Sequence, residues 1–425
     1  MPPGVVFRKR GLVLREVTPA ERGVYDAVVA GCPSGDLLQS FAWGEFKRQH
    51  GWTPGRYVVE GGDGRGSAGP AGGPGAPRAA MTVLRRRLPA TPWSFFYIPR
   101  GPAVDYADRE AVVFLRDALV HLGRRHHACF VRLDPPLPGG HRAEKSTLAR
   151  YGFAFTADEA LAGGTQPRAV WHLPLDRPLD DLLAGLAKDH RYFLRRAGRS
   201  GLTVREGTEA DLPLFHGLLA GTARRKAFGV RSLQYFQGMW RQLGPGGPLG
   251  RGGHLRLFIS ECPDGPLAAV LLGVMGRRAW GLYQGTSDAH RNLGPSYYLI
   301  WEIITQLAAE GFTLFDLGGV PWKTSGDSGL EHFKAGFGGT RVEYIGDYDY
   351  VFLPTAYALW RLAFQARRKA MRARRIARNA AGKTVRAAGA VARAGLGAAT
   401  KAARSLSLPT HRRPKPAGPP GGPAG

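Results

Sequence analysis

One lysine stands out by its surroundings. Lys334 follows Phe333 directly and precedes Phe337 within residues 311–339, GFTLFDLGGVPWKTSGDSGLEHFKAGFGG. Most of that stretch is small, apolar or turn-forming. A cation held partly buried among aromatic rings is a strong electrophilic group, able to stabilise negative charge developing on an oxygen. The same residues also allow a plainer arrangement, a lysine that lays its stem on apolar surface and keeps its ammonium in water. Metal chemistry is not indicated. The twelve histidines show no metal-like spacing, and Cys32, Cys129 and Cys262 form no CxxC pair. The cysteines also suggest no disulfide framework, which fits a reducing cytoplasm.

The lysine needs a frame, and the surrounding pattern predicts one. Residues 313–317 read as a short strand and Gly318-Gly319 as a turn that exploits positive φ. A polar loop follows, then an amphipathic turn carrying Phe333, Lys334 and Phe337. Upstream, residues 12–17 read as an edge strand. Thr18 caps a helix through Ala30, with Glu21 at the capping-box position. Ser40 caps a second helix whose aromatic face is Phe41, Trp43 and Phe46, with Lys47 near its end. Strands are predicted over 57–60, 80–85, 94–98 and 128–133, with an amphipathic helix over 110–125. Residues 61–79 are rich in Gly and Pro and read as a flexible hairpin loop. Their formal GxGxxG (Gly64, Gly66, Gly69) precedes no helix, so it does not signal a dinucleotide site.

The second half repeats this order. A strand over 170–175 precedes one long helix over 179–200, acidic at its start and basic at its end. Residues 202–205, 255–259, 267–275 and 277–286 read as strands. Residues 209–228, 232–243 and 296–310 read as helices. The chain is therefore expected to be α/β, of the α+β kind, with two similar units. At 425 residues it can bury two sizeable cores.

The order of the second unit resembles the acetyltransferase-like (GNAT) fold. The resemblance implies two tandem GNAT-like domains, residues 1–165 (completed by about 343–360) and 166–342, followed by a basic tail over 361–425. In that fold a Gly-rich turn cradles a CoA pyrophosphate. The matching turn here is Arg291-Asn292-Leu293-Gly294-Pro295-Ser296. Proline has no N–H to donate, which weakens a CoA-binding reading and leaves room for another acyl donor.

Several stretches together resemble the Fem family of peptidyltransferases. They are LLQSFAWGEFKRQHGW (37–52), YIPRGPAVDY (97–106), VRLDP (131–135), RYFLRRAGRSGLTV (191–204), TARRKAFGVRSLQYF (222–236), WGLYQGTSDAHRNLGPSYYLIWEII (280–304), FDLGGV (315–320) and GLEHFKAGFGGTRVEYIGDYDY (329–350). The resemblance implies transfer of an amino acid, glycine or another small residue, from aminoacyl-tRNA to the stem-peptide amine of a peptidoglycan precursor. It implies that Lys47 and Arg231 grip the precursor's diphosphate, a task for which arginine is suited by bidentate geometry. It places Lys334 at the position that stabilises the transferring ester, beside Phe333. Asp134, in the R-x-D-P motif, is the candidate general base, and Tyr235 and Tyr283 are candidate site-lining residues. Each has a structural alternative. Lys47 and Arg231 could be solvated charges, Asp134 a cap at a strand end, and the tyrosines core aromatics. No cofactor, metal or covalent intermediate is expected, because an aminoacyl ester is already activated. Some family members carry a coiled-coil arm in the second domain. The span from Arg205 to Tyr235 leaves no room for one, so the chain resembles armless members, and a monomer is expected.

The formal net charge of +26 points to a polyanionic partner, nucleic acid or an anionic membrane. Sixteen Lys or Arg lie between Arg361 and Lys415, and no Asp or Glu follows Asp349. The tail is expected to touch tRNA backbone or anionic lipid at the inner face of the plasma membrane. No apolar run is long enough to span a bilayer and no signal peptide is read at the N-terminus. Two other readings of the chain are a CoA-dependent N-acyltransferase and a non-catalytic RNA- or membrane-binding protein.

Overall fold

The computed structural model describes residues 4–61, 77–140, 142–156, 165–247, 253–322 and 329–366, with 369, 370 and 373 beyond them. The GxGxxG glycines and nearly all of the basic tail lie outside the described residues. Two compact units divide the chain, 1–357 and 358–425. In the second unit residues 358–366 are helical, and Trp360 stacks on Phe364 at 5.2 Å.

The first unit is built on two sheets. In chain order its strands begin with β1 (Val5–Lys9), β2 (Leu12–Glu16), β3 (Thr53–Gly61), β4 (Ala79–Arg87), β5 (Ser94–Ile98), β6 (Ala103–Val104), β7 (Ala128–Leu133) and β8 (Ala154–Phe155). They continue with β9 (Ala169–Pro174), β10 (Thr203–Gly207), β11 (Leu255–Cys262), β12 (Gly265–Met275), β13 (Arg278–Thr286), β14 (Leu314–Val320), β15 (Thr340–Glu343) and β16 (Tyr348–Val351). The helices are α1 (Arg22–Gly31), α2 (Phe41–Arg48), α3 (Arg109–Arg125), α4 (Arg142–Arg150), α5 (Leu179–Ala184), α6 (Lys188–Arg199), α7 (Leu212–Lys226), α8 (Leu233–Leu243), α9 (Pro295–Ala309) and α10 (Gly329–Ala335).

The first sheet runs β1-β2-β3-β4-β5-β7-β16-β8, with β6 paired to β4, and the second runs β10-β11-β12-β13-β14-β9-β15. Both are antiparallel except at one pair each, β5 with β7 and β13 with β14. This is the expected mixed α/β architecture, built on two sheets. Helix α3 buries Val112, Leu115, Leu119 and Leu122, and these pack in the core of the first sheet. Helix α9 buries Leu299, Ile300, Ile303, Ile304 and Leu307 in the core of the second, at the spacing of one helical face.

A third core joins the two halves. Tyr25, Val28 and Val29 of α1, with Phe41, Trp43 and Phe46 of α2, share one buried cluster with Phe215, Phe236 and Trp240 of α7 and α8. Burying one such aromatic contributes on the order of 1.5–3 kcal/mol, so α2 is held firmly against α8.

Three sequence expectations need correction. Residues 12–17 do not form the edge strand. Strand β1 pairs outside β2, and Phe7 packs on Phe114 at 5.5 Å, which the flanking charges at 8–10 concealed. The helix predicted over 179–200 breaks at Gly185 into α5 and α6. There Leu186 is buried and the Ala187 N–H donates to the Gly336 carbonyl at 2.9 Å, an interaction a continuous helix would forbid. Gly318-Gly319 does not end its strand. Strand β14 runs on to Val320, with a bulge against β9 between Asp316 and Gly319.

Candidate active site

Lys334 sits where two parallel strands part. Strands β13 and β14 pair only from Arg278–Leu314 to Trp280–Asp316, although both continue further. Past that point Gly318 takes φ +86°, and a Cβ there would stand 2.7 Å from the Gly281 carbonyl oxygen. Positive φ and this close approach both require glycine. The Asp316 carboxylate accepts the Gly318 N–H at 2.7 Å and holds the bulge.

Helix α10 brings Lys334 to that point. Its Nζ donates to the Gly319 carbonyl at 2.7 Å, and the residue is 6 % exposed. Burial pushes the ammonium down to about 8, with Asp316 opposing. The helix is pinned from several sides. The His190 Nε2–H donates to the Phe333 carbonyl at 2.8 Å, and the Trp171 Nε1–H donates to the Gly338 carbonyl at 2.7 Å. Phe333 itself packs on Tyr297 (5.0 Å) and Phe337 (5.3 Å), so it supports the lysine from behind.

A second group of cations gathers where α2 meets α8. Ser40 caps α2 by accepting the Trp43 N–H at 3.1 Å, and Lys47 stands in the last turn. Its Nζ lies 5.5 Å from the Trp43 ring centre and 5.8 Å from that of Phe46. Burial first, then Arg231 and Arg86, push Lys47 down to about 8. Arg231 lies just before Ser232, the cap of α8, and its guanidinium is 5.2 Å from the Tyr235 ring. The Tyr235 ring is also 4.9 Å from Phe46 and 4.9 Å from His50. Burial raises both Tyr235 and Tyr283, so both phenols stay protonated and able to donate. The structure thus brings together Lys47, Arg231, Tyr235 and Tyr283. It adds Arg86 and His50, which nothing in their spacing reveals. Trp43 Nε1 and His50 Nε2 are buried and have no hydrogen-bond partner among the described residues, as donors or acceptors for a ligand would be.

The two groups are linked by one strand. Tyr283 follows Gly281 by two residues on β13, under about 7 Å of strand. Leu282 is an extra residue there, since Leu271 pairs with Tyr283 and Leu272 with Gly281. Such bulges re-aim side chains next to sites.

Asp134 lies elsewhere, at the end of β7. It is 2 % exposed, and its oxygens accept the Arg100 N–H at 2.8 Å and the Tyr97 hydroxyl at 3.3 Å. Burial, opposed by Arg100, pushes it up to about 7. Asp134 and Lys334 are not brought into contact. A run of buried and half-buried polar groups lies between them. The Arg100 guanidinium donates to the Pro167 carbonyl at 2.5 Å and stacks 4.5 Å from the Tyr344 ring. Tyr344 Oη is 2.9 Å from His172 Nε2, which is 3.7 Å from Asp316. Asp36, pushed up to about 6 by burial, also feels Arg100 and Asp316.

Among the described residues, one set of metal-capable groups comes together, beside the turn between β11 and β12. Donor atoms of Cys262, Asp264 and His290 lie within 4.8 Å of one another, and Asp264 is exposed. Cys262 and Asp264 are two residues apart, but His290 lies 26 residues further on, so spacing alone does not suggest the group.

Helix α9 opens with Gly294 at φ +68° and Pro295 as its first residue. The first amide of that helix therefore has no hydrogen to offer a phosphate. Among the described residues no helix is long and apolar enough to cross a membrane.

The Lipid II:glycine glycyltransferase of Staphylococcus aureus (strain USA300) is 25% identical over 405 residues, covering 79% of this chain and 92% of that protein. A crystal structure of FemX superposes with a TM-score of 0.71 at 23% identity, covering 81% of this chain and 99% of that one, which shows a shared fold. The FemAB family model matches residues 21–244 and 255–365, and the chain belongs to the FemAB family.

Proposed function

We propose that the protein transfers an amino acid from aminoacyl-tRNA to the stem-peptide amine of a peptidoglycan precursor, lipid II or its soluble nucleotide-linked form. The observation that carries this reading is the placement of two cation groups along β13, one suited to a diphosphate and one to an acyl oxygen. Membership of the FemAB family and likeness to a protein named for glycyl transfer to lipid II support it, and glycine is the first donor to test.

In this reading Lys47 and Arg231 hold the precursor's diphosphate, with Tyr235 and Tyr283 donating hydroxyls nearby. The amine nitrogen attacks the ester carbonyl carbon. A C–N bond forms, the C–O bond to the ribose breaks, the amine gives up a proton and the ribose oxygen takes one. Lys334 stabilises the oxyanion, and it does so strongly because burial keeps water away. Holding both reactants together supplies much of the acceleration, on the order of 7–11 kcal/mol in favourable cases. No cofactor is needed for this chemistry. Asp134 is assigned to fixing Arg100 and the loop that bears it, since its oxygens accept the Arg100 N–H and the Tyr97 hydroxyl.

The CoA-dependent alternative suits Pro295 poorly, for want of an amide hydrogen. The tail is proposed to touch an anionic surface electrostatically, so membrane association should be released by salt. The test is direct. The protein is incubated with charged tRNA or acyl-CoA and the precursor, and mass added to the precursor is measured. Incorporation from tRNA alone supports the reading, and incorporation from acyl-CoA refutes it.

A further inference from the structure

Helix α6 carries Lys188, Arg191, Arg195 and Arg199, all exposed and spaced three, four and four residues apart. That spacing lines them along one side of the helix over about 16 Å. Like charges so placed repel one another. The one acid of the helix, Asp189, is turned to His190 (2.9 Å) and His332 (3.2 Å) instead. Exposed Tyr192 lies beside the stripe, its hydroxyl accepting from Arg196 at 2.9 Å.

The stripe is bolted to the lysine helix. His190 is fully buried and donates to the carbonyl of Phe333, the residue before Lys334. Its ring packs edge-on against Phe337 at 4.6 Å. No side chain would fit at Gly336, where a Cβ would strike the His190 ring. One turn along, Phe193 stacks on Tyr297 in the first turn of α9 at 4.5 Å. The same rigid helix therefore touches both the Lys334 support and the N-terminus of α9, while its cations face outward.

We propose that this stripe receives the phosphate backbone of the RNA donor next to the end that carries the ester. The inference rests on the transfer reading above and names the surface that reading requires. Three of the four cations are arginine, which grips phosphate oxygens bidentately. The exposed Tyr192 ring offers a stacking face for a base. A membrane-bound helix would instead turn apolar residues outward between its charges. Here Phe193 and Leu194 are partly buried and pack against cores of the second half.

The experiment compares the full chain with R191Q/R195Q/R199Q. Binding of deacylated tRNA is measured across a salt series, and transfer is measured with each substrate varied. The inference expects tRNA affinity to fall at least about tenfold and the log–log salt slope to drop by about 2–3, with the precursor KM unchanged. The charge-keeping variant R191K/R195K/R199K should recover most of the affinity, which separates charge from folding. Unchanged tRNA affinity and salt slope in the Gln variant overturn the inference and leave the transfer reading standing. Loss of binding to phosphatidylglycerol vesicles with tRNA binding intact also overturns it, in favour of a membrane face. A wild-type chain that neither binds tRNA nor transfers from it fails the transfer reading itself, and the inference with it.

Discussion

The Lys334 ammonium donates to the Gly319 carbonyl at 2.7 Å, and this bond ties α10 to the strand edge where β13 and β14 part. The lysine is held by a backbone oxygen, with Asp316 as the charged group that acts on it. Its charge is therefore only partly compensated and available to a developing oxyanion.

Replacing Lys334 by Met should lower kcat at least about 100-fold, the range seen when one oxyanion donor is lost. Stability should not fall, because burying the ammonium is itself costly. The sign follows from linkage. The folded pKa of about 8 lies below the ordinary 10.5, so the unfolded wild type binds more protons between these values. Wild-type stability thus rises with pH through that window relative to the variant. Thermal melts at pH 7 and 10 would show the wild type gaining on K334M.

A pH profile should separate the two lysines. Lys334 and Lys47 each lose their charge as pH rises through about 8. With donor varied, kcat/KM should decline above that value, and Lys334→Arg should move the decline upward. With precursor varied, the decline should respond to Lys47→Arg instead. A profile indifferent to both substitutions contradicts these assignments.

Lys47→Ala or Arg231→Ala should raise the precursor KM by about 10- to 100-fold, the value of a charge-assisted hydrogen bond of about 1.5–3 kcal/mol. The donor KM should stay close to that of the wild type. Arg86→Ala should have a smaller effect of the same kind, since Arg86 also binds the His50 carbonyl at 2.7 Å.

Asp134→Asn distinguishes two roles. Asparagine keeps an acceptor for the Arg100 N–H, so a positioning role predicts a loss of less than about tenfold and an unaltered pH profile. A general base predicts a loss of about 100-fold or more and disappearance of the acidic limb.

Gly318→Ala should destabilise the fold by about 1–3 kcal/mol, because φ is +86° and the new Cβ meets the Gly281 carbonyl. A urea melt measures this directly.

Local features of this fold were legible in the sequence, and long-range ones were not. Ser40 as a cap, the aromatic face of α2 and Pro295 at a helix start follow from short-range chemistry. The extension of β14 past Gly318-Gly319 does not, because pairing of Gly319 with Val170 on β9 decides it. Lys47 and Arg231 were each singled out only through family resemblance. Their meeting depends on Phe46 and Phe236 sharing one core across the two halves. Arg86 and His50 join them from a strand end and a helix end, where an isolated charge looks like any solvated one. Asp316 and Arg100 carry a weaker signal, a charged residue inside an apolar strand and one in a Pro-rich turn. Only the packing shows that both are buried.

The most direct measurement is the mass of a peptidoglycan precursor after incubation with the protein and glycyl-tRNA, beside parallel reactions with other charged tRNAs and with acyl-CoA. The account predicts addition of one aminoacyl residue from tRNA, lost in K334M and absent with acyl-CoA. Addition from acyl-CoA, or undiminished addition by K334M, would contradict it.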